Sequence, residues 1–476
     1  MQEEMFNPGK IITLCFLVII CAIPLRAAII EVPGDASTIQ EAINKASAGD
    51  TILIHPAVYH ENIQLTKGLT IASRYILDGN ESHISETVID GLTKSVLNIS
   101  GTMKENPDII GLTIRNGEDG IMASSPFNIY HCIITSCEDG IDYETGSGGQ
   151  CCYNIFRDNL DDGIDLDGSL KDVLIMENLI VNNDDDGIEI RLHPYQGETL
   201  FCQIMNNRIM NNKEDGIQFI DYADTSSRVY LVERNLILDN EMAAIGLMDD
   251  GETREDYRGA AIPEAIYLFN NTISGCHYGI TGGSGLLVIN NIIQNCTASG
   301  MKGLRGRSVL SHTLFHNNGT DLENLEITPL SILNEDPLLN QDWEPMPGSP
   351  CIEQGLSIYI EDQDTLLKFE VNEFSGSAPD LGAVEFNGTA NVGYIGQGHI
   401  LTAWPNPFSD YLRVGTTHPT GQAYKFCILD LAGKVIAEKD CHGTSTLIGT
   451  KSFPAGTYLL YCIVQQKKET LRIIKL

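Results

Sequence analysis

Short apolar runs alternate with turn-forming residues along most of this chain. Runs such as Asn154-Ile155-Phe156 and Asn178-Leu179-Ile180-Val181 are apolar or alternating and too short for helices, so they predict short β-strands. An Asp-Gly-Ile tripeptide recurs five times within this pattern. Its aspartates, hereafter the echo aspartates, are Asp119, Asp139, Asp162, Asp186 and Asp215. Their 20- to 29-residue spacing predicts a solenoid with one supersecondary unit per repeat.

A second repeat places an asparagine or a small residue five positions apart around an apolar run. The pairs are Gly111/Asn116, Asn154/Asn159, Asn178/Asn183, Asn207/Asn212, Asn235/Asn240, Asn271/Cys276 and Asn291/Cys296. Because glycine and asparagine tolerate positive φ, we expect the asparagines and glycines of both repeats at left-handed turn positions. Coils stacked about 4.8 Å apart would pair each strand with the coils above and below it. The fold predicted is all-β, a right-handed parallel β-helix with parallel strands.

The isoleucine of each tripeptide is expected to point into this solenoid and to form one interior column. These residues are Ile121, Ile141, Ile164, Ile188 and Ile217. Ser37 or Thr38, with Glu41, can cap a helix at the start of the solenoid, and such a helix would cover the open end of the core. Residues 345–386 differ in sequence pattern from the coils before them. This segment is expected to seal the C-terminal end of the solenoid core.

These patterns divide the chain into four parts. Residues 1–28 form a signal peptide, 29–386 the β-helix, 387–399 a linker rich in Gly and Asn, and 400–476 a small β-sandwich. The apolar run 11–25 follows Lys10 and leads to Arg26-Ala27-Ala28, which is typical of a cleaved export signal, with an uncleaved anchor as the alternative. No other run is apolar enough to cross a bilayer, so the mature chain is expected to have no transmembrane helix.

The charge is concentrated in the solenoid. The chain carries a formal charge of −34, whereas residues 400–476 and 1–27 together are slightly basic, so the segment between them holds about −38. Such a field argues against nucleic acid and anionic membrane as partners and favours capture of divalent cations. No paired C-x-x-C motif occurs among the cysteines, so we do not expect a cysteine metal site.

Carboxylates are predicted to line the outer face of the coils. If the tripeptide isoleucines point inward, then Met122, Asp142, Asp165, Glu189 and Gln218 point outward. The carboxylates among them would lie close together on adjacent coils, and like charges at that distance repel unless a cation bridges them. Ca²⁺ binds six to eight oxygen ligands. We therefore predict a Ca²⁺ site formed by Asp139, Asp142, Asp161, Asp162 and Asp165. The alternative is that Asp before Gly is ordinary turn chemistry.

Two segments resemble known families. The N-terminal stretch from Val32 to Ile43, with the strands that follow up to Ile71, resembles the cap and first coil of the pectin-lyase-like superfamily. Its opening is similar to that of pectin methylesterases, but their catalytic aspartates do not follow, so this activity is not expected. Residues 404–410, 429–435 and 453–460 resemble, in that order, the motifs of a type IX secretion system C-terminal sorting domain. That resemblance implies type IX machinery as a partner, and a secreted or outer-membrane surface location in a Bacteroidota-like Gram-negative bacterium.

The run Asp161-Asp162-x-x-Asp165 resembles the calcium site of polysaccharide lyase family 9 over about 30 residues. In those enzymes calcium bridges a uronate carboxylate and a Lys or Arg removes the adjacent proton. Here Glu189 and Gln218 stand where a lysine would be expected. The nearest basic substitute is Arg191, whose alternative role is to pair with the neighbouring acids.

The function predicted is an exported β-helix protein that binds polysaccharide, together with Ca²⁺. A Ca²⁺-dependent uronate lyase with Arg191 as its base is the alternative. A glycoside hydrolase and a purely structural surface protein rank lower. The residues expected to contact the sugar are Glu189, His193, Lys302 and Arg305; for the two basic residues a solvated surface cluster is the alternative.

Overall fold

The computed structural model describes most of residues 27–386 and parts of the C-terminal region. In the first region the exceptions are residues 169–170, 223–225, 250, 252, 254–256, 362 and 370–372. In the second it describes residues 401–404, 411–416, 424–430, 434–441, 445–454, 456–464 and 467–475. The expected signal peptide, up to residue 26, and the expected linker lie outside the described residues. The chain divides into two compact units, Met1–Glu385 and Phe386–Leu476, each described here by itself.

Three columns of parallel strands form the first unit, a parallel β-helix. Column A contains Ile29–Val32, Thr51–Ile54, Thr70–Ser73, Asp108–Ile110, Phe127–Tyr130, Gly149–Cys152, Val173–Met176, Tyr195–Met205, Ser226–Glu233, Ala265–Phe269, Leu286–Ile289, Val309–His316 and Leu330–Leu333. Column B contains Ala57–His60, Thr87–Asp90, Thr113–Arg115, Ile133–Thr135, Ile155–Arg157, Leu179–Val181, Arg208–Met210, Leu236–Leu238, Thr272–Ser274 and Ile292–Gln294. Column C contains Ile63–Leu65, Leu97–Ile99, Asp119–Ala123, Asp139–Tyr143, Ile164–Leu166, Ile188–Arg191, Ile217–Ile220, Ala243–Met248, Tyr278–Thr281, Ser299–Lys302 and Thr320–Glu323. Connections of this kind between parallel strands are right-handed in nearly all proteins.

The interior column of isoleucines is confirmed. Ile121 pairs with Ile141, Ile141 with Ile164, Ile164 with Ile188 and Ile188 with Ile217, all in column C. All five side chains are completely buried in one continuous apolar core. Because side chains alternate along a strand, this register directs the neighbouring residues outward.

The glycines of the tripeptides are required for close approach rather than for positive φ. A Cβ built on Gly163 would lie 2.6 Å from the backbone oxygen of Gly187 and 2.6 Å from Cγ2 of Ile180. None of the five tripeptide glycines is among the residues with positive φ. The expectation of left-handed tripeptide glycines was therefore wrong, because at this corner the coils stack too closely for any side chain.

The repeated asparagines also differ from the expectation. The residue before each one adopts positive φ, for example Tyr153 (62°) before Asn154 and Asn206 (55°) before Asn207. The asparagines themselves are buried and form two hydrogen-bonded ladders. One runs Asn154, Asn178, Asn207, Asn235, Asn271, Asn291 and the other Asn159, Asn183, Asn212, Asn240. Gly111 and Asn116 are left-handed residues and precede the ladder positions rather than occupying them.

A capped helix begins the solenoid, as predicted. Helix Ile39–Lys45 has Thr38 as its N-cap, and Thr38 Oγ1 accepts from the backbone N–H of Glu41 at 3.1 Å. Glu41 Oε2 in turn accepts from the backbone N–H of Ser37 at 2.8 Å. Ile39 and Ile43 bury against the interior core. Two further short helices, Tyr75–Asp78 and Ser82–Glu86, lie between strands of columns A and B.

The described part of residues 345–386 does not seal the end of the core, contrary to the expectation. It runs along the outside of earlier coils, where Asn290 Oδ1 accepts from the backbone N–H of Leu356 at 2.7 Å. Phe369, just after the hairpin Ile358–Glu361/Asp364–Lys368, packs on the outward side chain of Phe269. Leu322, Leu325 and Ile327, which precede this segment, pack against the interior core instead. The outward faces of these coils carry apolar side chains, and the segment buries apolar surface against them.

The second unit is built of two antiparallel sheets that share a core. The first sheet contains Leu401–Trp404, Tyr411–Thr416 and Ser445–Gly449; the second contains Tyr424–Asp430, Val435–Cys441, Gly456–Val464 and Lys467–Lys475. Leu412 and Val414 of the first sheet cluster with Phe426, Ile428 and Leu460 of the second. This is the expected small β-sandwich. Among the described residues of either unit, no helix is long and apolar enough to span a membrane.

Candidate functional site

A row of outward side chains crosses five successive strands of column C. Met122 pairs with Asp142, Asp142 with Asp165, Asp165 with Glu189 and Glu189 with Gln218. Asp142 and Asp165 are half-buried, and Glu189 is 5% exposed. Since neighbouring strands lie about 4.8 Å apart, the three carboxylates stand close together in a partly dehydrated environment.

Four acidic triads lie on or beside this row. In each triad, one carboxylate oxygen per residue lies within 4.8 Å of the other two. The triads are Asp142/Asp165/Asp167, Asp162/Asp165/Glu189, Asp161/Asp162/Asp185 and Asp185/Asp186/Glu214. Asp162, Asp165 and Asp185 each belong to two of them, so the triads form one continuous acidic surface.

Several carboxylate oxygens of this surface are buried without a hydrogen-bond donor. They are Oδ1 of Asp142, Asp165, Asp167 and Asp185, and Oε1 of Glu189. A buried carboxylate oxygen without an aligned donor loses its hydration, and Arg191 supplies three of these oxygens with an ion-pair contact but no aligned hydrogen bond. Hard, negatively charged oxygens in this arrangement are the ligands that Ca²⁺ prefers, so these side chains fit a bound calcium ion.

Burial and mutual repulsion raise the pKa values of these acids. Burial, followed by the charges of neighbouring carboxylates, raises the pKa of Asp165 to about 9 and that of Asp142 to about 7. Burial raises the pKa of Glu189 to about 7, although Arg191 acts in the opposite direction. Burial raises the pKa of Asp161 to about 6 and that of Asp162 well above its ordinary value. Acids that ionise this reluctantly gain most from a bridging cation.

The echo aspartates also serve the turn itself. Asp139 Oδ1 accepts from the backbone N–H of Asp162 at 3.0 Å, and Asp162 Oδ1 accepts from that of Asp186 at 2.8 Å. Asp186 Oδ1 accepts from the backbone N–H of Asp215 at 2.6 Å. Asp139 belongs to none of the triads found among the described residues. Asp139 thus has the turn role that the sequence left open, and its part in a Ca²⁺ site stays a prediction. Asp142, Asp161, Asp162 and Asp165 lie in the acidic surface.

Arg191 lies inside the acidic surface. Its Nη2 contacts Oε1 of Glu189 at 2.5 Å, and its Nε lies 2.8 Å from Oδ1 of Asp167 and 4.0 Å from Oδ1 of Asp165. The Nε contacts are ion pairs by distance but are not aligned as hydrogen bonds. Burial lowers the pKa of Arg191, but Glu189, a hydrogen bond with Tyr222 and the two aspartates outweigh it, so the net shift is upward.

The other residues expected to contact sugar are more dispersed. His193 lies beside Tyr222, with ring centroids 4.3 Å apart. Lys302, at the end of a later column C strand, lies 4.7 Å above the ring of Tyr278 and 3.8 Å from Glu323. Arg305 donates through Nη2 to the backbone oxygen of Gly259 at 2.8 Å. Lys302 and Arg305 thus already have protein partners.

The prediction of site residues omitted Asp167, Asp185 and Glu214 from the acidic surface. Asp185 and Glu214 directly precede the echo aspartates Asp186 and Asp215. An acidic residue at that position in successive coils was a usable signal, because equivalent positions of a solenoid stack. No comparable signal in the sequence indicated Tyr222, because only the tertiary structure places it next to Arg191.

Two family models match this chain, one in each of its two units. Residues 75–258 match the family model of the periplasmic copper-binding protein NosD, and residues 402–476 match the secretion system C-terminal sorting domain. The expected sorting domain is thereby confirmed, and it indicates secretion or export to the cell surface. No curated protein matches the chain.

Solved structures that are similar share little sequence with this chain. A pectate lyase, Pel9A, is 13% identical with a TM-score of 0.40, over 76% of this chain and 96% of the lyase. A periplasmic alginate epimerase, AlgG, is 12% identical with a TM-score of 0.35, over 64% of this chain and 84% of the epimerase. A tailspike capsular polysaccharide depolymerase from an Acinetobacter baumannii bacteriophage is 10% identical with a TM-score of 0.27, over 94% and 78% of the two chains.

Proposed function

We propose that this chain is an exported β-helix protein that binds an anionic polysaccharide through Ca²⁺ held on the outer face of column C. The observation that carries the proposal is the set of buried carboxylate oxygens without donors on Asp142, Asp165, Asp167 and Glu189. Arg191 is the one basic side chain that ion-pairs with this set among the described residues. One guanidinium does not neutralise four carboxylates, so further positive charge stabilises the arrangement.

Calcium suits this donor set better than copper. The triads consist of carboxylates alone, and those are hard ligands. Copper sites contain nitrogen or sulfur ligands such as imidazole, thiolate or thioether groups. The described cysteines of the β-helix are buried, and none belongs to a triad found among the described residues. The copper in the name of the family that matches residues 75–258 therefore finds no corresponding ligands in these triads.

An anionic polymer fits the geometry of the row. Column C presents its outward side chains at intervals of about 4.8 Å along the solenoid axis, as a long repetitive surface. Calcium ions at the triads would offer open coordination positions to the carboxylates of a chain lying across the coils. The sorting domain brings the protein to the exterior, where such polymers occur. Without the cation the same surface repels an anionic chain.

Binding is favoured over eliminative cleavage by the surroundings of Arg191. A general base must be deprotonated and directed at the proton that it removes. Arg191 is held by Glu189 and Asp167, and these acids stabilise its charged form. We infer that Arg191 holds the acids together and faces a sugar carboxylate as a cation.

The metal is tested by thermal unfolding of the mature protein in EDTA and after titration with Ca²⁺. Asp165 belongs to two triads, so Asp165→Asn is expected to abolish most of the Ca²⁺-dependent rise in the melting temperature. Asp184→Asn is the matched control, because Asp184 is exposed, pairs with Lys213 and lies outside every triad found among the described residues. A rise of equal size in Asp165→Asn, or no rise in the native protein, contradicts a calcium site. Titration with Cu²⁺ under the same conditions tests the competing metal.

The polysaccharide is tested by affinity electrophoresis through gels that contain polygalacturonate or alginate. Retardation in Ca²⁺ that disappears in EDTA and in Asp165→Asn is the expected result. The ultraviolet absorbance of unsaturated products is followed on the same polymers. A calcium-dependent rise in absorbance that is lost in Arg191→Ala would establish the lyase instead. Absence of retardation on every anionic polymer, with calcium still bound, contradicts the proposed ligand.

A further inference from the structure

A groove crosses five successive coils at the corner where column B leads into column C. Its volume is about 1050 Å³. His60 lines it in the first coil, Leu92 in the second, Asn116 and Glu118 in the third, Glu138 in the fourth, and Leu160 and Asp161 in the fifth. The two leucines are three coil spacings apart, or about 14 Å along the axis. This length admits an extended chain rather than a compact small molecule.

Leu92 is exposed in an unfavourable backbone conformation. Its side chain is 62% exposed and its φ is 65°, in the left-handed region. A non-glycine residue is sterically disfavoured there relative to the right-handed region, and a leucine gains nothing from solvent. A ligand that covers the exposed Leu92 side chain would offset the free-energy cost of this conformation.

Leu160 occupies a position at which the next two coils have charged residues. It directly follows the ladder asparagine Asn159, while Asp184 and Lys213 directly follow the equivalent asparagines Asn183 and Asn212. Asp184 and Lys213 form an exposed ion pair of 2.6 Å, as expected for a solvated corner. Leu160 is 67% exposed and lies in the groove. The same corner is thus apolar only where the groove passes it.

The polar groups of the groove are mainly acceptors. Glu118 and Glu138 are exposed carboxylates, and Asp161 is half-buried. Asp90 is already engaged, because its Oδ2 accepts from Arg115 at 3.0 Å and from Asn116 at 2.8 Å. His60 is the one basic side chain among the described residues that line the groove. Such a lining attracts a donor-rich neutral ligand and repels an anionic one.

We infer that this groove binds a neutral polysaccharide chain without a metal ion. The apolar faces of sugar rings would cover Leu92 and Leu160, and sugar hydroxyls would donate to Glu118 and Glu138 between them. This ligand differs from the anionic polymer proposed for column C, although Asp161 lies at the boundary of both surfaces. The two surfaces are separable by experiment, because the groove works in EDTA and the calcium surface does not.

The test is affinity electrophoresis of the full chain in EDTA through gels that contain dextran, laminarin or galactomannan. Polygalacturonate in EDTA serves as the anionic comparison. We expect retardation by at least one neutral polymer and none by polygalacturonate. The double variant Leu92→Asn, Leu160→Asn is expected to weaken this binding at least tenfold. Asparagine tolerates left-handed φ, so the change at Leu92 should not destabilise the fold.

Leu330→Asn is the matched control, because Leu330 is 58% exposed on the last strand of column A and far from the groove. It should leave the retardation unchanged. The inference is overturned if no neutral polymer retards the native protein, if the double variant binds as well as the native protein, or if Leu330→Asn loses binding to the same extent. Calcium-dependent retardation by polygalacturonate is a separate result and bears on column C alone.

Discussion

Arg191 Nε lies 2.8 Å from Oδ1 of Asp167, which follows the neighbouring strand of column C. The same guanidinium contacts Glu189 on its own strand, so it ties two coils together across a row of acids. An isolated carboxylate row at this spacing would repel itself, and this side chain limits that repulsion. Arg191 therefore acts mainly as a structural counter-charge to these acids. This role predicts how the stability of the protein responds when the charge of Arg191 is removed.

Arg191→Met keeps most of the apolar stem and removes the charge. In EDTA we expect it to lower the free energy of unfolding by about 1–3 kcal/mol, less than for a fully buried pair because Arg191 is partly exposed. Calcium should restore much of this loss, since the ion supplies the missing positive charge. Denaturant unfolding in EDTA and in Ca²⁺ measures both quantities. A variant as stable as the native protein in EDTA would show that the acids do not depend on Arg191.

Asn207→Ala tests the asparagine ladder. Asn207 Nδ2 donates to the backbone oxygen of Ile175 at 2.9 Å and to Oδ1 of Asn235 at 3.0 Å, and its Oδ1 accepts from Asn178. Removing the amide leaves several buried polar groups unsatisfied, so we expect a loss of about 3 kcal/mol. Asn207→Cys should lose less, because Cys132 already occupies the same ladder in an earlier coil. Equal stability of the alanine variant and the native protein in denaturant would refute this role.

Gly163→Ala tests the close approach of the coils. The added methyl group would meet the backbone oxygen of Gly187 at 2.6 Å, which cannot move without shifting the strand. The expected loss in the free energy of unfolding is about 1–3 kcal/mol, the usual range for overpacking. Gly34→Ala is the control, since a Cβ there meets nothing closer than 3.4 Å. Thermal unfolding should separate the two variants clearly, and coincident melting temperatures would contradict the close-packing explanation.

His131 predicts a pH dependence away from the acidic surface. Its ring stacks between Tyr75 and Tyr153, with centroids 5.0 Å and 5.1 Å away, and burial lowers its pKa to about 4 from 6.5. The unfolded chain therefore binds the proton more readily between pH 4 and 6.5. The contribution of neutral His131 is complete above pH 6.5 and is lost as the pH falls toward 4, about 3 kcal/mol at most.

His131→Tyr should remove this part of the pH dependence while keeping the stack. Tyrosine fits the position, because Tyr153 occupies the equivalent turn in the next coil at a φ of 62°. Denaturant unfolding of both proteins across pH 4 to 6.5 gives the difference in slope. Parallel curves for the variant and the native protein would show that His131 does not titrate in this window.

Much of the architecture followed from the sequence because the same tripeptide recurs in successive coils and side chains alternate along each strand. The Asp-Gly-Ile repeat set the coil length, and alternation along a strand separated the buried Ile164 from the outward Asp165. The same reasoning placed Asp142, Asp165 and Glu189 in one row, as the register has them. These inferences needed no contact between distant residues beyond the stacking of equivalent positions.

Other features depend on the exact approach of neighbouring coils and were decided only by the tertiary structure. The distance from Gly163 to the next coil explains why glycine occurs there, and the buried amides explain the repeated asparagines. The described part of residues 345–386 lies along outward-facing residues such as Phe269, and whether a residue faces outward depends on the register rather than on composition. The corner that exposes Leu160 and the contacts that engage Arg191 likewise depend on how loops of unequal length meet. Sequence alone therefore determined the repeating strands of this protein, whereas its acidic surface and groove arise where several coils come together in space.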